Sequence, residues 1–184
     1  MRRMNLYAAV AAALTLLAVP ALGQSFSDGY SFLKGVRERD AATVNGLVAR
    51  PNPAILNYRD SSGEGALHIL VRGRDLTWLN FLLARGARAD LQMNDGTTPL
   101  ILAAQLGWYP GAEQLLSRRA NPNLGNRNGE TPLIFAVRRR DIQMVRLLRS
   151  QGADPNQTDN IAGYSALDYA RQDSRAAAIL RELE

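Results

Sequence analysis

The segment Gly96-Thr-Thr-Pro-Leu-Ile-Leu-Ala-Ala104 recurs, with few changes, as Gly129-Glu-Thr-Pro-Leu-Ile-Phe-Ala-Val137. Two more divergent copies are Gly63-Glu-Gly-Ala-Leu-His-Ile-Leu-Val71 and Gly163-Tyr-Ser-Ala-Leu-Asp-Tyr-Ala170. The leading glycines of the four copies are separated by 33, 33 and 34 residues. A fixed period of this length predicts a solenoid, in which each unit buries its apolar face only against its neighbours.

A second motif recurs in the same phase. Ala87, Ala120 and Ala153 each follow a leucine-containing segment and are again 33 residues apart. With these two motifs the chain resembles the ankyrin repeat over about residues 58–184, and a degenerate unit precedes them. Two positions depart from the pattern, because the first copy lacks Thr-Pro and Arg119 replaces a glycine. The resemblance implies an all-α solenoid of about five helix-turn-helix units with short projecting β-turns.

Each recurring position has a physical reason. Gly96 supplies a turn that a Cβ would hinder. Thr98 can cap a helix through its hydroxyl, and Pro99 then fits the first helical position. We expect Leu133 to lie in the core of a central unit, and Gly86 to end a second helix in a left-handed conformation.

The repeat phase divides the chain into predicted units. Residues 25–57 show helical spacing of apolar residues without the first turn motif, as expected for a terminal cap. Pro51-Asn-Pro53 lengthens the connection that follows. The predicted units are 24–57 (N-terminal cap), 58–93, 94–126, 127–159 and 160–184 (C-terminal cap).

Residues 1–23 predict a secretory signal peptide. Arg2 and Arg3 form a basic start, an apolar stretch follows, and Ala21-Leu22-Gly23 provides small residues for cleavage. We place the cut after Gly23, with Ala21 as the second choice. An uncleaved anchor is the minor alternative, since the apolar stretch is shorter than the ~20 residues that span a bilayer. The segment is typical of bacteria, so we expect the mature protein in the periplasm or secreted, with no stable membrane anchor.

The composition and the motifs disfavour an enzyme. The chain has no cysteine and one histidine, His68, so a metal site would rest on that histidine and carboxylates. No nucleophile elbow, dinucleotide-binding glycine pattern or Walker motif occurs. We expect no catalytic, cofactor or metal residue. The resemblance implies a structural hydrogen bond from His68 to a neighbouring turn, and the recurrence of Asp75 as Asp141 indicates helix-end residues.

The positive charge is modest. The net charge is +5, and Arg2 and Arg3 of the predicted signal peptide contribute to it. The positive charge that remains without them is too small to predict nucleic-acid binding. The densest basic run is Arg138-Arg139-Arg140, and Arg72 lies two periods before Arg138. These arginines should therefore share a face, with Gln105 between them. That run is either a solvated helix end or a basic strip for an acidic partner.

Trp108 falls at the repeat position of Asp75 and Asp141. We expect its side chain to be at least partly exposed, either as an interface hot spot or packed locally over Pro110 and the next repeat. Trp78 lies in a second helix and should belong to the core.

The resemblance implies binding of another protein through turn tips and the outer side of the first helices. Carried over position by position, that surface is Ser61, Ser62, Glu64, Arg72, Asn94, Asp95, Thr97, Gln105, Leu106, Trp108, Arg127, Asn128, Glu130, Arg138, Arg139 and Tyr164. We therefore predict a periplasmic scaffold, not an enzyme, whose protein partner has an acidic, partly apolar surface. The alternative is an accessory factor that stabilises or inhibits an envelope enzyme.

Overall fold

The computed structural model describes residues 21–50 and 54–184, with side chains from residue 27 onward. These residues form ten α-helices in five consecutive pairs. The pairs are α1 (Ala21–Glu38) and α2 (Ala41–Val48), α3 (Ala66–Arg72) and α4 (Leu76–Ala84), α5 (Pro99–Leu106) and α6 (Tyr109–Ser117), α7 (Pro132–Arg138) and α8 (Ile142–Ser150), and α9 (Ala166–Gln172) and α10 (Ala177–Leu183). A 3-10 turn, Ile55–Asn57, joins the first pair to the second. The all-α repeat solenoid is thus confirmed.

Two segments that the sequence singled out lie wholly or partly outside the described residues. Residues 1–20, which carry the basic start and apolar stretch of the predicted signal peptide, lie outside the described residues, as does Pro51-Asn-Pro53. The predicted cleavage site, 21–23, is the beginning of α1. In the described part of the chain, no helix is both long enough and apolar enough to cross a bilayer.

The first helices begin as the sequence predicts. The Thr98 hydroxyl accepts a hydrogen bond from the Ile101 N–H at 3.1 Å, and Thr131 does the same in the next repeat. Pro99 and Pro132 occupy the first turn of their helices, where a missing N–H costs nothing. The predicted caps are therefore confirmed.

The second helices α4 and α8 begin at aspartates. The side chain of Asp75 accepts from the Trp78 N–H at 3.1 Å, and Asp141 caps α8 in the same way. The helix-end interpretation of these residues is confirmed. An arginine in the left-handed region stands before each cap, at Arg74 (φ 51°) and Arg140 (φ 55°).

Left-handed arginines, among them Arg39 (φ 56°) before α2, link neighbouring repeats. Arg39 donates from Nε to the carboxylate of Asp75 at 2.7 Å. Arg74 donates to the Leu106 carbonyl at 2.9 Å. In the third unit Gly107, with φ 63°, replaces the arginine, so this link is not made from there.

Two layers of helices enclose the core. The first helices α1, α3, α5, α7 and α9 pack in sequence, and α4, α6, α8 and α10 form the second layer. Small residues such as Ala103, Ala104 and Ala136 are fully buried, which lets α5 and α7 approach closely. Leu133 is fully buried, as predicted. Trp78 is half-buried and packs against the core rather than within it, so its predicted core position is only partly correct.

Candidate functional site

The turns between the helix pairs are closed by side chains of one repeat position. Asp60 accepts hydrogen bonds from the Ser62 and Glu64 N–H groups at 2.9 and 3.0 Å. Asn126 and Asp159 act in the same way in later turns. The third unit has Met93 at this position, and there the Asp95 carboxylate accepts from the Thr97 N–H instead. Each turn is therefore ordered before any partner binds.

The turns are also tied to one another. The Asn94 N–H donates to the Ser62 carbonyl at 3.0 Å, and the Arg127 N–H donates to the Asp95 carbonyl at 2.9 Å. This close approach explains Gly96, because a Cβ there would lie 2.6 Å from the Arg127 nitrogen and its φ is 83°. The turn tips thus form a continuous row, held by backbone hydrogen bonds.

A second row lies at the C-terminal ends of the first helices. Arg72 and Arg138 are the last residues of α3 and α7, and Gln105 is the penultimate residue of α5. Equivalent positions in a repeat stack fall in line, so the predicted row exists. Arg72 and Arg138 are exposed, while Gln105 is half-buried.

The arginines of this row are not free. Arg72 pairs with Glu64 at 3.2 Å, and Arg138 pairs with Glu130 at 2.8 Å. Each glutamate belongs to the turn of the repeat that also carries its arginine. The guanidinium groups are about half exposed whereas the glutamate side chains are only 12–15% exposed, so a partner's carboxylate can reach either guanidinium from its solvent side. The row is therefore charge-balanced, rather than the uniformly basic strip that the arginine spacing alone suggested.

Two other arginines of the predicted surface, Arg127 and Arg139, form no ion pair in the described part of the chain. The side chains of Arg127 and Arg139 make no hydrogen bond or ion pair within residues 27–50 and 54–184. Arg139 lies over the preceding repeat, where a Cβ on Gly107 would sit 2.9 Å from its Nη2 and 3.4 Å from the Asp141 Oδ2 atom. These two cations are the positive charges that the surface offers without first breaking a pair.

Trp108 corrects one prediction. Its side chain is only 7% exposed, so it cannot be an exposed hot spot. The indole turns inward over Gly111, where a Cβ would lie 2.0 Å from its Cε3 atom. Trp108 precedes α6 without capping it through a side-chain hydrogen bond. The packing alternative is therefore correct, although Gly111 supplies the space.

Thr97, which was predicted to lie on the binding surface, is also buried. It is 6% exposed, because its carbonyl accepts from the ring of His68 at 3.1 Å and the turn folds over it. The remaining predicted residues are accessible: Gln105, Leu106, Glu64 and Glu130 are half-buried, and Ser61, Ser62, Arg72, Asn94, Asp95, Arg127, Asn128, Arg138, Arg139 and Tyr164 are exposed.

An aromatic cluster occupies the C-terminal end of the surface. The rings of Tyr164 and Tyr169 meet edge to face, with centroids 5.6 Å apart. The guanidinium of Arg138 lies 5.7 Å from the Tyr169 centroid, close enough for a cation–π contact. Ile161, 70% exposed, projects from the same turn. Tyr169 and Ile161 were not predicted from the sequence, although Ile161 is apolar at a turn position that Ser62, Asp95 and Asn128 hold in the other repeats.

A cleft of about 400 Å³ lies beside this cluster, between α7 and α9. Its lining is Val137, Arg138, Tyr169, Gln172, Asp173 and Arg175. The Tyr169 hydroxyl donates to Asp159 at 2.6 Å, and this hydrogen bond raises the pKa of Tyr169 above its ordinary 10.0. The tyrosine is therefore neutral and fixed, suited to contact rather than to proton transfer.

His68 has the structural role that the resemblance implied. It is fully buried; its Nδ1 accepts from the Gly65 N–H at 3.2 Å, and its Nε2 bonds the Thr97 carbonyl at 3.1 Å. A carbonyl only accepts, so the proton resides on Nε2. Burial lowers the pKa of His68 below its ordinary 6.5. Among the described residues, no three histidine or carboxylate side chains gather as a metal cluster.

The comparison with known proteins agrees with this geometry. A family model described as ankyrin repeats matches the chain in three overlapping copies, over residues 35–126, 67–159 and 109–183. Together the copies cover most of the chain and all of the turns and helix ends described above.

Proposed function

Because the chain belongs to the ankyrin-repeat family, whose repeats commonly mediate protein–protein interaction, we propose that it is a periplasmic scaffold that holds another protein on its concave face. The binding surface in this proposal is the row of turn tips together with the ends of α3, α5 and α7. The observation that supports it is the regular exposure of non-core side chains along this row, above a backbone fixed by hydrogen bonds between turns. A preordered surface loses little conformational entropy on binding.

The partner's chemistry follows from the side chains available. Arg127 and Arg139 are exposed and form no ion pair in the described chain, so carboxylates of the bound protein can pair with them. Tyr164, 40% exposed, and Ile161 offer apolar contact at the other end. An acidic, partly apolar protein surface fits both. In this proposal the aromatic anchor is the Tyr164–Tyr169 cluster and not Trp108.

The binding experiment compares two arginines. A partner captured from the host's envelope fraction is titrated against the wild type, Arg139→Ala and Arg146→Ala. Arg146 is the matched control, since it is also exposed but lies on α8 and pairs with Glu182. We expect Arg139→Ala to slow association and to reduce its salt dependence, while Arg146→Ala behaves as wild type.

The opposite results are equally informative. If Arg146→Ala weakens binding and Arg139→Ala does not, the partner uses the second-helix layer and the proposed surface is wrong. If removal of the protein changes an envelope enzyme's activity and that enzyme is captured, the scaffold is an accessory factor of that enzyme.

The location is tested separately. The basic start, apolar stretch and small residues of 1–23 support export. We expect the protein of the envelope fraction to begin near residue 24, as measured by N-terminal sequencing. A protein that begins at Met1 and stays in the cytoplasm would contradict the proposed location.

A further inference from the structure

The row of turns ends at an edge that nothing in the described chain covers. We call Asn160–Tyr164 the turn edge. Each earlier turn is covered by the one after it. Asn94 donates its N–H to the Ser62 carbonyl at 3.0 Å and its Nδ2 to the Ser61 carbonyl at 2.8 Å. Two repeats later, Asn160 donates its N–H to the Asn128 carbonyl at 2.7 Å.

The last turn offers the same acceptors. Ser62, Asp95 and Asn128 are each the second residue after the one that opens its turn, and the same count from Asp159 reaches Ile161. Within the described residues no donor reaches the carbonyls of Asn160 and Ile161. The last turn is one residue longer than the others, which leaves this edge wider.

The glycines show the same vacancy. A Cβ on Gly63 would lie 2.5 Å from the Asn94 nitrogen, because the next turn presses against it. Gly163 keeps the left-handed backbone, with φ 68°, yet nothing lies within 4 Å of its Cβ position. The last turn thus keeps the backbone of the earlier turns, while its outer side is open.

The side chains at the turn edge are apolar where a terminal unit should be polar. Solenoids close their ends with polar faces, and exposed Arg171, Arg175 and Arg181 follow this rule at the helical end. Ile161 is 70% exposed and Tyr164 is 40% exposed. The helices of the last unit are therefore closed toward solvent, while its turn carries a contact surface.

The edge is also rigid. The buried Asp159 carboxylate accepts from the N–H groups of Ile161 and Ala162 at 2.9 and 2.7 Å. Its other oxygen accepts from the Tyr169 hydroxyl. Burial opposes ionisation, but these hydrogen bonds hold the pKa of Asp159 below its ordinary 3.8. The carboxylate that orders the edge stays charged at neutral pH.

We propose that the turn edge docks an asparagine-bearing tight turn of a partner protein, which donates a backbone N–H to the Ile161 carbonyl and a side-chain amide to the Asn160 carbonyl. The chain itself is the template for this occupant, since Asn94 and Asn160 cover earlier edges in this way. Because Ile161 and Tyr164 are exposed beside these carbonyls, the partner's turn should also carry apolar atoms next to its two donors. The proposal deepens the proposed function, because Ile161 and Tyr164 belong to both surfaces. It does not involve Arg127 or Arg139, so the peptide titration and the Arg139→Ala experiment can fail separately.

The probe is a cyclic peptide of residues 93–97, the segment that covers the edge of the first turn. It is titrated into the 15N-labelled protein, in the form the cell accumulates, and amide shifts are followed. We expect saturable shifts of Ile161, Ala162 and Gly163 with a dissociation constant of about 1–10 mM, as suits two hydrogen bonds and one apolar contact. The peptide with Asn94→Ala should bind more weakly.

Two protein variants are compared. Ile161→Asp should weaken the peptide by about fivefold or more, because the apolar contact is lost. Tyr30→Ser is the matched control, since Tyr30 is 63% exposed but lies on α1, and it should bind as wild type. The absence of shifts at the turn edge up to about 10 mM, or equal shifts at the other turn tips, would overturn the proposal. Shifts at the edge on dilution of the protein alone would also overturn it, because a second copy would then be the occupant.

Discussion

At the scale of single residues, Trp108 shows how one substitution in a repeat changes the packing around it. Its position holds a capping aspartate in the neighbouring units. An indole has no acceptor to offer the first N–H groups of α6, so capping gives no reason for it to point outward. Gly111, one turn later, leaves the space that the ring fills. The side chain has exchanged a role at the helix end for one in the core.

Trp108→Ala should therefore destabilise the protein by about 3–5 kcal/mol, as truncation of a buried aromatic does. Denaturant unfolding followed by circular dichroism measures this loss. Trp78→Ala is the control, because Trp78 is only half-buried and its loss should be smaller. If Trp108→Ala unfolds like the wild type but binds the partner more weakly, Trp108 is an exposed interface residue and the packing role is wrong.

The repeat phase could not show this inward turn. Phase fixes where the Cα of Trp108 lies, but exposure depends on the volume beside it, which one glycine three residues later controls. Ile161 is the converse case, since its apolar side chain stands in an otherwise polar turn. The periodic pattern located both positions correctly and described neither environment.

His68 links residue chemistry to pH. Protonation would place a second proton on Nδ1, which now accepts from the Gly65 N–H. The folded protein therefore resists protonation, and burial holds the pKa of His68 below its ordinary 6.5. Below about pH 6.5 the unfolded chain binds more protons than the folded one, so the stability present above that pH is lost as the pH falls.

We expect the free energy of unfolding to decrease between pH 7 and pH 5, by at most about 1.4 kcal/mol per pH unit from this group. The decrease should shrink in His68→Gln, even though that variant is less stable at pH 7. Urea melts at several pH values measure both slopes. Parallel slopes for the two proteins would show that His68 titrates alike in the folded and unfolded chain.

At the scale of helices and turns, local chemistry made prediction possible. Thr98, Pro99 and Gly86 act on backbone groups within a few residues of themselves, so their roles were visible in the sequence. The links between repeats were not, because Arg39 reaches Asp75 across 36 residues. Only the stacking of the units brings these two side chains together.

Variants of Asp75 can separate the contribution of a helix cap to stability from that of an ion pair between repeats. Its side chain caps α4 and also pairs with the half-exposed Arg39. Asp75→Asn keeps a capping oxygen and loses the charge, so it should cost less than about 0.5 kcal/mol. Asp75→Ala loses both and should cost about 1–2 kcal/mol. Thermal melts of both variants test this, and equal losses would mean that the ion pair, not the cap, stabilises the start of α4.

At the scale of the whole molecule, the stack is close to one-dimensional. Each helix pair contacts the pairs before and after it, so stability is approximately a sum of units and of interfaces between adjacent units. Central units bury their apolar residues on two sides and terminal units on one. The sequence located the repeats, but how completely each copy is buried depends on its place in the stack.

Leu133 and Leu167 test this difference, because they hold the same repeat position in a central and in the last unit. Leu133 is fully buried between α5 and α9, and Leu167 is half-buried against the core. Leu133→Ala should cost about 2–5 kcal/mol, and Leu167→Ala less than about half as much, since its site can relax toward solvent. Urea unfolding gives both values, provided that the m-value is unchanged, which shows that one cooperative transition is being compared. A loss at Leu167 equal to that at Leu133 would mean that the last unit is buried on both sides in solution. Something would then cover the C-terminal end of the stack, and comparison of the same melts at several protein concentrations would show whether a second copy does so.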